Sequence, residues 1–309
     1  MNAPEAVALA CRALLGREAT LAKVLSRAPG SDVVRASLAD GDSVIVKLHT
    51  GAQRRRAREQ QRALAAVAAY TTVPTPRVLG CGGVPGTGAS ALIAVDLGQV
   101  DLGRAVRDGL CTRDQALEIL SGLLARLHRL PMAAGPRPAT GSGPRIDALA
   151  LIERCPGPLA ETVAPLLIRA AARARTAMPT VWCHGDLHPA NVLFPQDGAG
   201  RLGPAHVIDF EQMVHAAPEY DVAQCLVTSD ALAPSERARV AASYGSPLDQ
   251  RLLDELIVFH AVRGLVYAAM AERRDASLWN RRVTCALERS LALGLTTCEF
   301  KGGIKLWMS

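Results

Sequence analysis

One eight-residue stretch constrains this chain more than any other feature. Residues 184–191 read His-Gly-Asp-Leu-His-Pro-Ala-Asn and include Asp186 and Asn191. The 309 residues contain only three asparagines and four lysines, and Asn191 is the only asparagine away from the ends of the chain. A sequence so poor in asparagine that still places one five residues after an aspartate indicates that the amide has a chemical task. We therefore expect the fold to hold residues 184–191 as a functional loop.

A strand-like run that ends in aspartate follows this loop. It comprises Ala205–Ile208 and leads directly into Asp209 and Phe210. Phosphoryl transfer needs a carboxylate that orients the acceptor hydroxyl and takes its proton, together with oxygen ligands for Mg²⁺. Asp186 is therefore the candidate catalytic base, and Asn191 and Asp209 are the candidate Mg²⁺ ligands. Each of the three is also common singly in ordinary structure, as a turn aspartate, a capping asparagine or a strand-end aspartate.

Composition and charge bound the class of protein. The length suits two compact lobes, and 49% apolar with 21% charged residues is typical of a soluble globular chain. Residues 1–98 carry 12 Lys+Arg against 7 Asp+Glu, which favours a polyphosphate ligand in the first lobe. Aromatic residues make up only 4% and no basic stripe is interleaved with them, so nucleic-acid binding is disfavoured.

The cysteines and the apolar segments predict a cytoplasmic protein. The eight cysteines are scattered without a Cys-x-x-Cys pair, which is typical of reduced thiols. The N-terminus lacks the layout of a signal peptide. The most apolar segment, Leu256–Met270, is interrupted by His260 and Arg263, so a membrane span is not expected.

The first third of the chain predicts a helix followed by an antiparallel sheet. The turn dipeptide Asp40-Gly41 separates two β-prone runs and is a strong hairpin signal. Lys47 then lies on the third strand, on the opposite face from Val46. Around it we predict strands over Lys23–Arg27, Val33–Leu38, Ser43–Leu48, Arg77–Gly80 and Ala89–Asp96, and a helix over Arg54–Ala69.

The remainder of the chain is mostly helical by pattern. Thr112 and Gln115 form a capping-box signature before an apolar helical stripe, and a Pro/Gly-rich connection runs over Pro131–Pro144. Long helices are expected near 248–275 and 279–296. We therefore predict a nucleotide-binding lobe over 1–98, a catalytic and acceptor-binding lobe over 99–299, and a non-core tail over 300–309.

The order of these motifs resembles the aminoglycoside phosphotransferase and choline kinase superfamily. The resemblance spans roughly residues 20–295 and rests on the strand lysine, on residues 184–191, and on Ile208-Asp209-Phe210, in which Asp209 lies 18 residues after Asn191. It implies an α+β, bilobal, protein-kinase-like fold with a small N-terminal antiparallel sheet lobe and a larger, mainly helical C-terminal lobe. It further implies O-phosphotransfer from ATP or GTP, with Mg²⁺, to a small-molecule hydroxyl.

The resemblance also assigns nucleotide-binding residues in the first lobe. Lys47 would reach the α- and β-phosphates as a point charge, and Glu59, the only glutamate between positions 19 and 117, would hold it in place. A solvated helix face is the alternative for Glu59, because arginines surround it in sequence. Ser31, in the turn that would cover the phosphates, and Val95 and Leu97, beside the lobe boundary, complete this set.

Three further residues are expected to support the loop. The resemblance implies that His184 and His188 make structural hydrogen bonds within it. It implies that Asp221 is a buried brace for the loop, and the same residue also suits a helix cap.

Differences between these motifs and those of other protein classes reduce the number of possible functions. A protein kinase would carry a Gly-rich loop, His-Arg-Asp, Asp-Phe-Gly and Ala-Pro-Glu, whereas here Gly185 replaces the arginine and Glu211 follows Asp209-Phe210. A metal-dependent hydrolase that uses His184, Asp186 and His188 is a rival, but it leaves Lys47, Glu59 and Asn191 without roles. A nucleotide-binding pseudo-enzyme is a weaker rival, because the catalytic residues that such a protein would have lost are all present.

Several chemical classes of acceptor fit the sequence. An aminoglycoside or another cationic antibiotic is the leading expectation, with choline-like, amino-alcohol and sugar acceptors as alternatives. A quaternary ammonium needs an aromatic cage, and the few aromatic residues lead away from choline. For a cationic acceptor, Glu211 and Asp230 are the candidate binding residues, since they lie nearest in sequence to the catalytic strand. The sequence allows a monomer or a homodimer.

Overall fold

The computed structural model describes residues 2–135, 144–155, 157–270 and 276–294. It divides into two compact units. The first contains the chain up to Arg104, a short piece that begins at Ala133, and Asn191–Glu211; the second contains Ala105–Met132 and most of the remaining chain. The tail over 300–309, most of the Pro/Gly-rich connection and the last residues of the two predicted C-terminal helices lie outside the described residues.

The first unit is built on a five-stranded sheet. Its strands are antiparallel in the order β1-β2-β3-β5-β4. The bounds are β1 Ala19–Ala28, β2 Ser31–Leu38, β3 Ser43–His49, β4 Val78–Val84 and β5 Ala89–Val95. Helix α1 (Ala3–Leu15) precedes the sheet, and a 3-10 turn (Gly51–Arg55) leads into α2 (Arg56–Tyr70) between β3 and β4. These elements agree with the predicted ones to within a few residues at each end, apart from β1 and β4, which are longer.

Alternation along the strands gives the sheet two different faces. Val44, Val46 and Leu48 of β3 are buried in an apolar core that includes residues of α1. Ile45 and Lys47, at the intervening positions, point to the opposite face, as the period of two requires. The sheet therefore offers one face to the core and the other to a possible ligand.

A small second sheet joins Asn191–Glu211 to the first unit. Strand β8 (Val192–Phe194) pairs antiparallel with both β6 (Val100–Asp101) and β9 (His206–Val207). The observed division therefore differs from the predicted one at 98, because β6 continues the first unit to Arg104 and its pairing brings the β8–β9 hairpin with it. Helix α3 (Leu102–Arg107) follows β6.

The second unit is mainly helical. Its helices are α4 Arg113–Leu127, α5 Pro144–Arg154, α6 Gly157–Thr176, α7 Glu219–Thr228, α8 Pro234–Tyr244, α9 Gln250–Met270 and α10 Ala276–Ala292. Helix α4 begins with the predicted capping box between Thr112 and Gln115. Helix α9 packs against α5, α6, α7 and α10 and is buried along most of its length. The predicted α+β class with an antiparallel sheet is thus confirmed.

Two short strands position the start of the loop of residues 184–191 in this unit. Strand β7 (Val181–Cys183) pairs antiparallel with β10 (Val214–Ala216), and the loop begins directly after β7. No helix in the described part of the chain has the length and apolar character needed to cross a membrane.

Candidate active site

A cavity of about 340 Å³ lies on the Lys47 face of the sheet in the first unit. This volume falls within the range of small-molecule sites. Its walls are mostly aliphatic and come from β1, β2, β3, β5, α2 and the β8–β9 hairpin, and its polar lining residues are Arg35, Lys47, Gln60, Gln99 and Asp209. Val95 and Leu97 line it as well, whereas Ser31 and Glu59 do not.

Asp96 fixes the segment between Val95 and Leu97. Its carboxylate accepts two hydrogen bonds from Arg35, at 2.6 and 3.0 Å, and one each from the Ser43 hydroxyl and the Gly98 N–H. Burial alone would raise the pKa of Asp96, but these hydrogen bonds and the Arg35 charge hold that pKa below its ordinary value. The carboxylate therefore stays ionised and holds this edge of the cavity rigid.

Lys47 forms an ion pair with Asp209 in the wall of the cavity. Lys47 Nζ lies 2.7 Å from Asp209 Oδ1, and the lysine side chain is only 13% exposed. Asp209 has φ of +67°, a conformation uncommon for a residue other than glycine. Backbone strain of this kind is concentrated at functional sites, where the surrounding structure holds it in place.

The residue of α2 that shares the cavity lining with Lys47 is Gln60 and not Glu59. Gln60 lies on the same helical stripe as the buried residues Ala57, Leu64 and Val67, whereas Glu59 is half-buried and does not line the cavity. Glu59 makes no ion pair in the described structure, so the predicted Lys47–Glu59 pair is not formed. Gln60 is 2% exposed, lines the cavity, and its Oε1 has no hydrogen-bond partner. The sequence signal for the burial of Gln60 is its helical spacing with Ala57, Leu64 and Val67.

The β8–β9 hairpin brings the two candidate Mg²⁺ ligands to one end of a small sheet. Val192 pairs with Val207, so Asn191 before β8 and Ile208-Asp209 after β9 are neighbours. The Ile208 N–H donates to the Asn191 carbonyl at 3.0 Å. Asn191 is 7% exposed. The sequence thus predicted two residues that the fold does bring together.

Glu211 adds a second carboxylate beside Asp209. It accepts a hydrogen bond from Arg56 at 3.2 Å. Burial, followed by the negative charge of Asp209, raises the pKa of Glu211 above its ordinary value, although Lys47 and Arg56 oppose the shift. Glu211 therefore belongs to the same charged cluster as Lys47 and Asp209, which differs from its expected place at the acceptor.

In the second unit, Gly185 allows the loop to turn beside residue Gln212. Gly185 has φ of +79°, and a Cβ atom there would overlap the carbonyl oxygen of Gln212. This explains why glycine stands where a protein kinase has arginine.

Asp221 ties the loop to α7. Its Oδ2 accepts from the His184 N–H at 2.6 Å and its Oδ1 from the Gly185 N–H at 2.9 Å. His128 Nε2 lies 3.1 Å from Oδ2, and His128 Nδ1 lies 2.9 Å from the Tyr244 hydroxyl. Burial alone would raise the pKa of Asp221, but the hydrogen bonds and the nearby histidines hold it below its ordinary value. Asp221 is completely buried and does not cap its own helix, since its oxygens face the loop.

Asp186 is held by a side chain from α7 and approached by one from α9. Gln224 Nε2 donates to Asp186 Oδ1 at 2.7 Å. Arg263 lies 3.8 Å from the same oxygen and donates to the Gly185 carbonyl at 3.2 Å. His188 Nε2 is 3.9 Å from Asp186 Oδ2. Gln224 and Arg263 were not identified from the sequence, because nothing in their local pattern relates them to a loop 38 or more residues away.

The two loop histidines bond to the backbone of the loop. His184 Nδ1 accepts from the Asp186 N–H, and His188 Nδ1 accepts from the Ala190 N–H, each at 3.2 Å. Among the residues that the structure describes, the one group of three metal-ligand types whose ligand atoms converge is His128, Cys183 and Asp221, which is not the cluster proposed for a hydrolase. The geometry therefore gives the hydrolase alternative no support.

Asp230 is occupied by two arginines of α10. Its carboxylate accepts hydrogen bonds from Arg281 at 3.0 Å and from Arg282 at 3.2 Å. Arg113 also donates to its carbonyl oxygen. Asp230, just after the end of α7, is thus joined to α10, and its charge is balanced within the unit.

Three solved structures illustrate what the fold is similar to. The chain is 15% identical to a mutant of aminoglycoside 2′-phosphotransferase-IIIa in complex with GDP, over 94% of this chain and 99% of that chain, with a TM-score of 0.64. It is 18% identical to a macrolide 2′-phosphotransferase from Brachybacterium faecium, over 91% and 98%, with a TM-score of 0.55. It is 17% identical to a choline/ethanolamine kinase family protein from Mesorhizobium loti, over 90% and 89%, with a TM-score of 0.55. These likenesses confirm the predicted kinase-like fold.

The sequence comparisons place the chain in a family. No curated protein sequence matches it significantly. A sequence model of the phosphotransferase enzyme family (APH) matches residues 24–256, which is well over half of the chain. The chain therefore belongs to the phosphotransferase enzyme family, as the order of its motifs predicted.

Proposed function

We propose that this phosphotransferase moves the terminal phosphoryl group of ATP or GTP to a hydroxyl group of a small molecule. The observation that carries the proposal is the Lys47–Asp209 pair in the wall of a largely aliphatic cavity, with Asn191 anchored next to Asp209. An aliphatic slot suits a nucleotide base, and a lysine on a stiff strand suits its phosphates.

The polar groups in the first unit fit a hydrated Mg²⁺ ion. Asp209 and Asn191 offer carboxylate and amide oxygens, which are the donors this hard cation prefers, and Glu211 adds a second carboxylate nearby. Asp209 and Asn191 would hold the ion. When bound, Mg²⁺ neutralises charge on the phosphate oxygens.

The residues of the second unit support a base at Asp186. Gln224 fixes one carboxylate oxygen, and Asp221 fixes the loop through two backbone N–H groups. We propose that Asp186 accepts a hydrogen bond from the acceptor hydroxyl, orients its oxygen and takes its proton as the new P–O bond forms. The bond between the terminal phosphorus and its bridging oxygen breaks, and the nucleoside diphosphate leaves.

The acceptor is proposed only as a small-molecule alcohol. Aminoglycosides, other cationic antibiotics, choline-like compounds and sugars all remain in the panel that tests it. All seven described cysteines are free thiols, which fits the predicted cytoplasmic address.

The test is a transfer assay on the purified full-length chain. We would incubate it with γ-labelled ATP or GTP, Mg²⁺ and single acceptors, and follow label transfer to the acceptor and release of nucleoside diphosphate. We expect Mg²⁺-dependent transfer to at least one alcohol. Transfer that persists in excess EDTA, or saturable nucleotide binding without transfer to any acceptor, would overturn the proposal.

A further inference from the structure

The charged and polar side chains close to Asp186 indicate which charge the acceptor carries. Arg263 lies 3.8 Å from the Asp186 carboxylate, and its side chain is only 12% exposed. Gln224 and His188 also lie within about 4 Å of that carboxylate, so a neutral amide and an imidazole flank it together with the guanidinium. A polycationic acceptor would meet a fixed guanidinium next to its reacting hydroxyl.

The guanidinium of Arg263 is held in one orientation. It donates to the Gly185 carbonyl at 3.2 Å, and its Cζ lies 5.8 Å from the centre of the Tyr267 ring, one turn further along α9. Tyr267 is half-exposed. A planar guanidinium fixed in this way suits the paired oxygens of a carboxylate or phosphate, because little side-chain entropy remains to be lost on binding.

The carboxylates of α7 and α9 are already used within the unit. Asp254 pairs with Arg237 at 2.6 Å and with Arg289 at 2.8 Å. Glu255 is completely buried and pairs with Arg169 and Arg173 at 2.8 and 2.9 Å.

The other acidic groups of this region are engaged in the same way. Glu219 accepts from the Asp249 N–H at 2.7 Å, Asp221 braces the loop, and Asp230 pairs with two arginines. Releasing any of them to bind a cation would leave a buried or half-buried arginine or N–H group without its partner, which is costly.

We propose that the acceptor carries an anionic group, a carboxylate or a phosphate, near the hydroxyl that is phosphorylated, and that Arg263 is the residue that selects it. The inference rests on the proposed function and names the acceptor class of that site. It departs from the cationic acceptor expected from the sequence. Discrimination arises on both sides, since Arg263 attracts the anion and repels an amine at the same place.

An anionic oxygen beside Arg263 has two possible sources. One is the acceptor, and the other is the phosphoryl group in transit, which an arginine also stabilises. The two sources give different kinetics. A contact with the acceptor's own anion changes the preference between acceptors, whereas a contact with the transferred group lowers turnover equally for all of them.

The experiment compares acceptors matched except for charge. Two sets serve: glycerol, glycerate and aminopropanediol; and glucose, glucuronate and aminodeoxyglucose, with kanamycin as a polycation. The kcat/KM of each would be measured for the wild-type chain and for Arg263→Gln and Arg263→Lys, with the folded fraction checked by thermal melting. Arg251→Gln is the matched control, because Arg251 is an exposed arginine on the same helix about 18 Å away along its axis.

We expect the wild-type kcat/KM to be highest for the acid of a set and at least about tenfold lower for the amine. Arg263→Gln should lower kcat/KM for the acid about tenfold or more and reduce the preference, Arg263→Lys should retain part of it, and Arg251→Gln should change neither. If Arg263→Lys folds and Arg263→Gln does not, the ratio of kcat/KM for the acid to kcat/KM for the amine is measured in Arg263→Lys. We expect that ratio to stay above one.

Other outcomes overturn the inference. Faster transfer to an amine or to kanamycin than to the matched acid would do so, as would an equal loss for all acceptors in Arg263→Gln. Tight nucleotide binding with no transfer to any acceptor would instead be the failure of the proposed function itself.

Discussion

Lys47 and Asp209 are joined by an ion pair of 2.7 Å, although 162 residues separate them in sequence. Asp209 therefore balances the charge of the largely buried lysine in the described structure, and α2 contributes a neutral amide, Gln60, to the same cavity lining. Under the proposed function, the cation would give Asp209 a new partner and the nucleotide phosphates would give Lys47 one.

The roles of the neighbouring residues Glu59 and Gln60 are separable by mutation. Glu59→Gln should leave the nucleotide KM within about twofold of wild type, because Glu59 does not line the cavity. Gln60→Ala should raise that KM by about threefold or more, since it removes a side chain that lines the cavity. Steady-state kinetics against ATP at saturating acceptor would measure both. A larger effect from Glu59→Gln than from Gln60→Ala would restore the Lys47–Glu59 pair expected from the sequence.

The sequence was informative where short-range pattern determines structure. Strand alternation placed Lys47 on the face opposite Val46, and the hairpin around β8 and β9 explains why Asn191 and Asp209, 18 residues apart, come together. The helical spacing of Gln60 with Ala57, Leu64 and Val67 also predicts its burial, whereas the rarity of glutamate does not determine which residue of α2 lines the cavity.

Long-range pairing was not accessible from the sequence. Nothing local to Asp230 shows that Arg281 and Arg282 bind it, and nothing local to Arg263 shows that it lies beside Asp186, 77 residues earlier. Such pairs depend on how α7, α9 and α10 pack. The loop motif was therefore recognised from the sequence, while the long-range partners of Asp186 and Asp230 were not.

The base should be testable with an isosteric change. Asp186→Asn should lower kcat by about 10²–10⁴, because the acceptor loses its proton sink, while nucleotide binding and thermal stability stay close to wild type. Asp197→Asn, in the β8–β9 turn, is the matched surface control. Retention of more than about a tenth of wild-type kcat would remove Asp186 from the role of general base.

The two proposed Mg²⁺ ligands should contribute to Mg²⁺-dependent activity in different ways. Asp209→Ala should abolish transfer at every Mg²⁺ concentration, whereas Asn191→Ala should raise the Mg²⁺ needed for half-maximal activity, because a carboxylate contributes charge and an amide mainly geometry. Mg²⁺ titrations of kcat at fixed nucleotide would show the difference. Recovery of Asp209→Ala at high Mg²⁺ would assign the main ligand to another residue, with Glu211 the first candidate.

Neutralising Asp230 should affect stability and not acceptor binding. Asp230→Asn keeps the shape and tolerates the left-handed backbone at φ +55°, so it isolates the charge. We expect the acceptor KM to stay within about twofold and the free energy of unfolding to fall by about 1 kcal/mol or less, since the pairs with Arg281 and Arg282 are partly exposed. A rise of about tenfold in the KM of an amine acceptor, with the KM of its neutral counterpart unchanged, would instead assign Asp230 to the acceptor site.

His49 should make the protein less stable in mild acid. It is completely buried at the end of β3, and neither ring nitrogen has a hydrogen-bond partner. Burial, together with the charges of Lys47 and Arg56, lowers its pKa to about 4. The unfolded chain binds a proton at this residue below about pH 6.5, but the folded chain does not until about pH 4, so stability falls as the pH drops through this interval.

A substitution that cannot titrate should remove this part of the pH dependence. In urea unfolding between pH 7.5 and pH 4.5, His49→Leu should lose less stability than wild type, by at most about 3 kcal/mol, and should be no less stable at the upper pH because it removes unsatisfied polar atoms. His206→Gln, at a more exposed histidine that bonds to the Pro204 carbonyl, is the control and should keep the wild-type slope. Some slope should remain in His49→Leu, because burial also lowers the pKa of His260. An unchanged slope in His49→Leu would show that His49 is solvated or protonated in the folded protein.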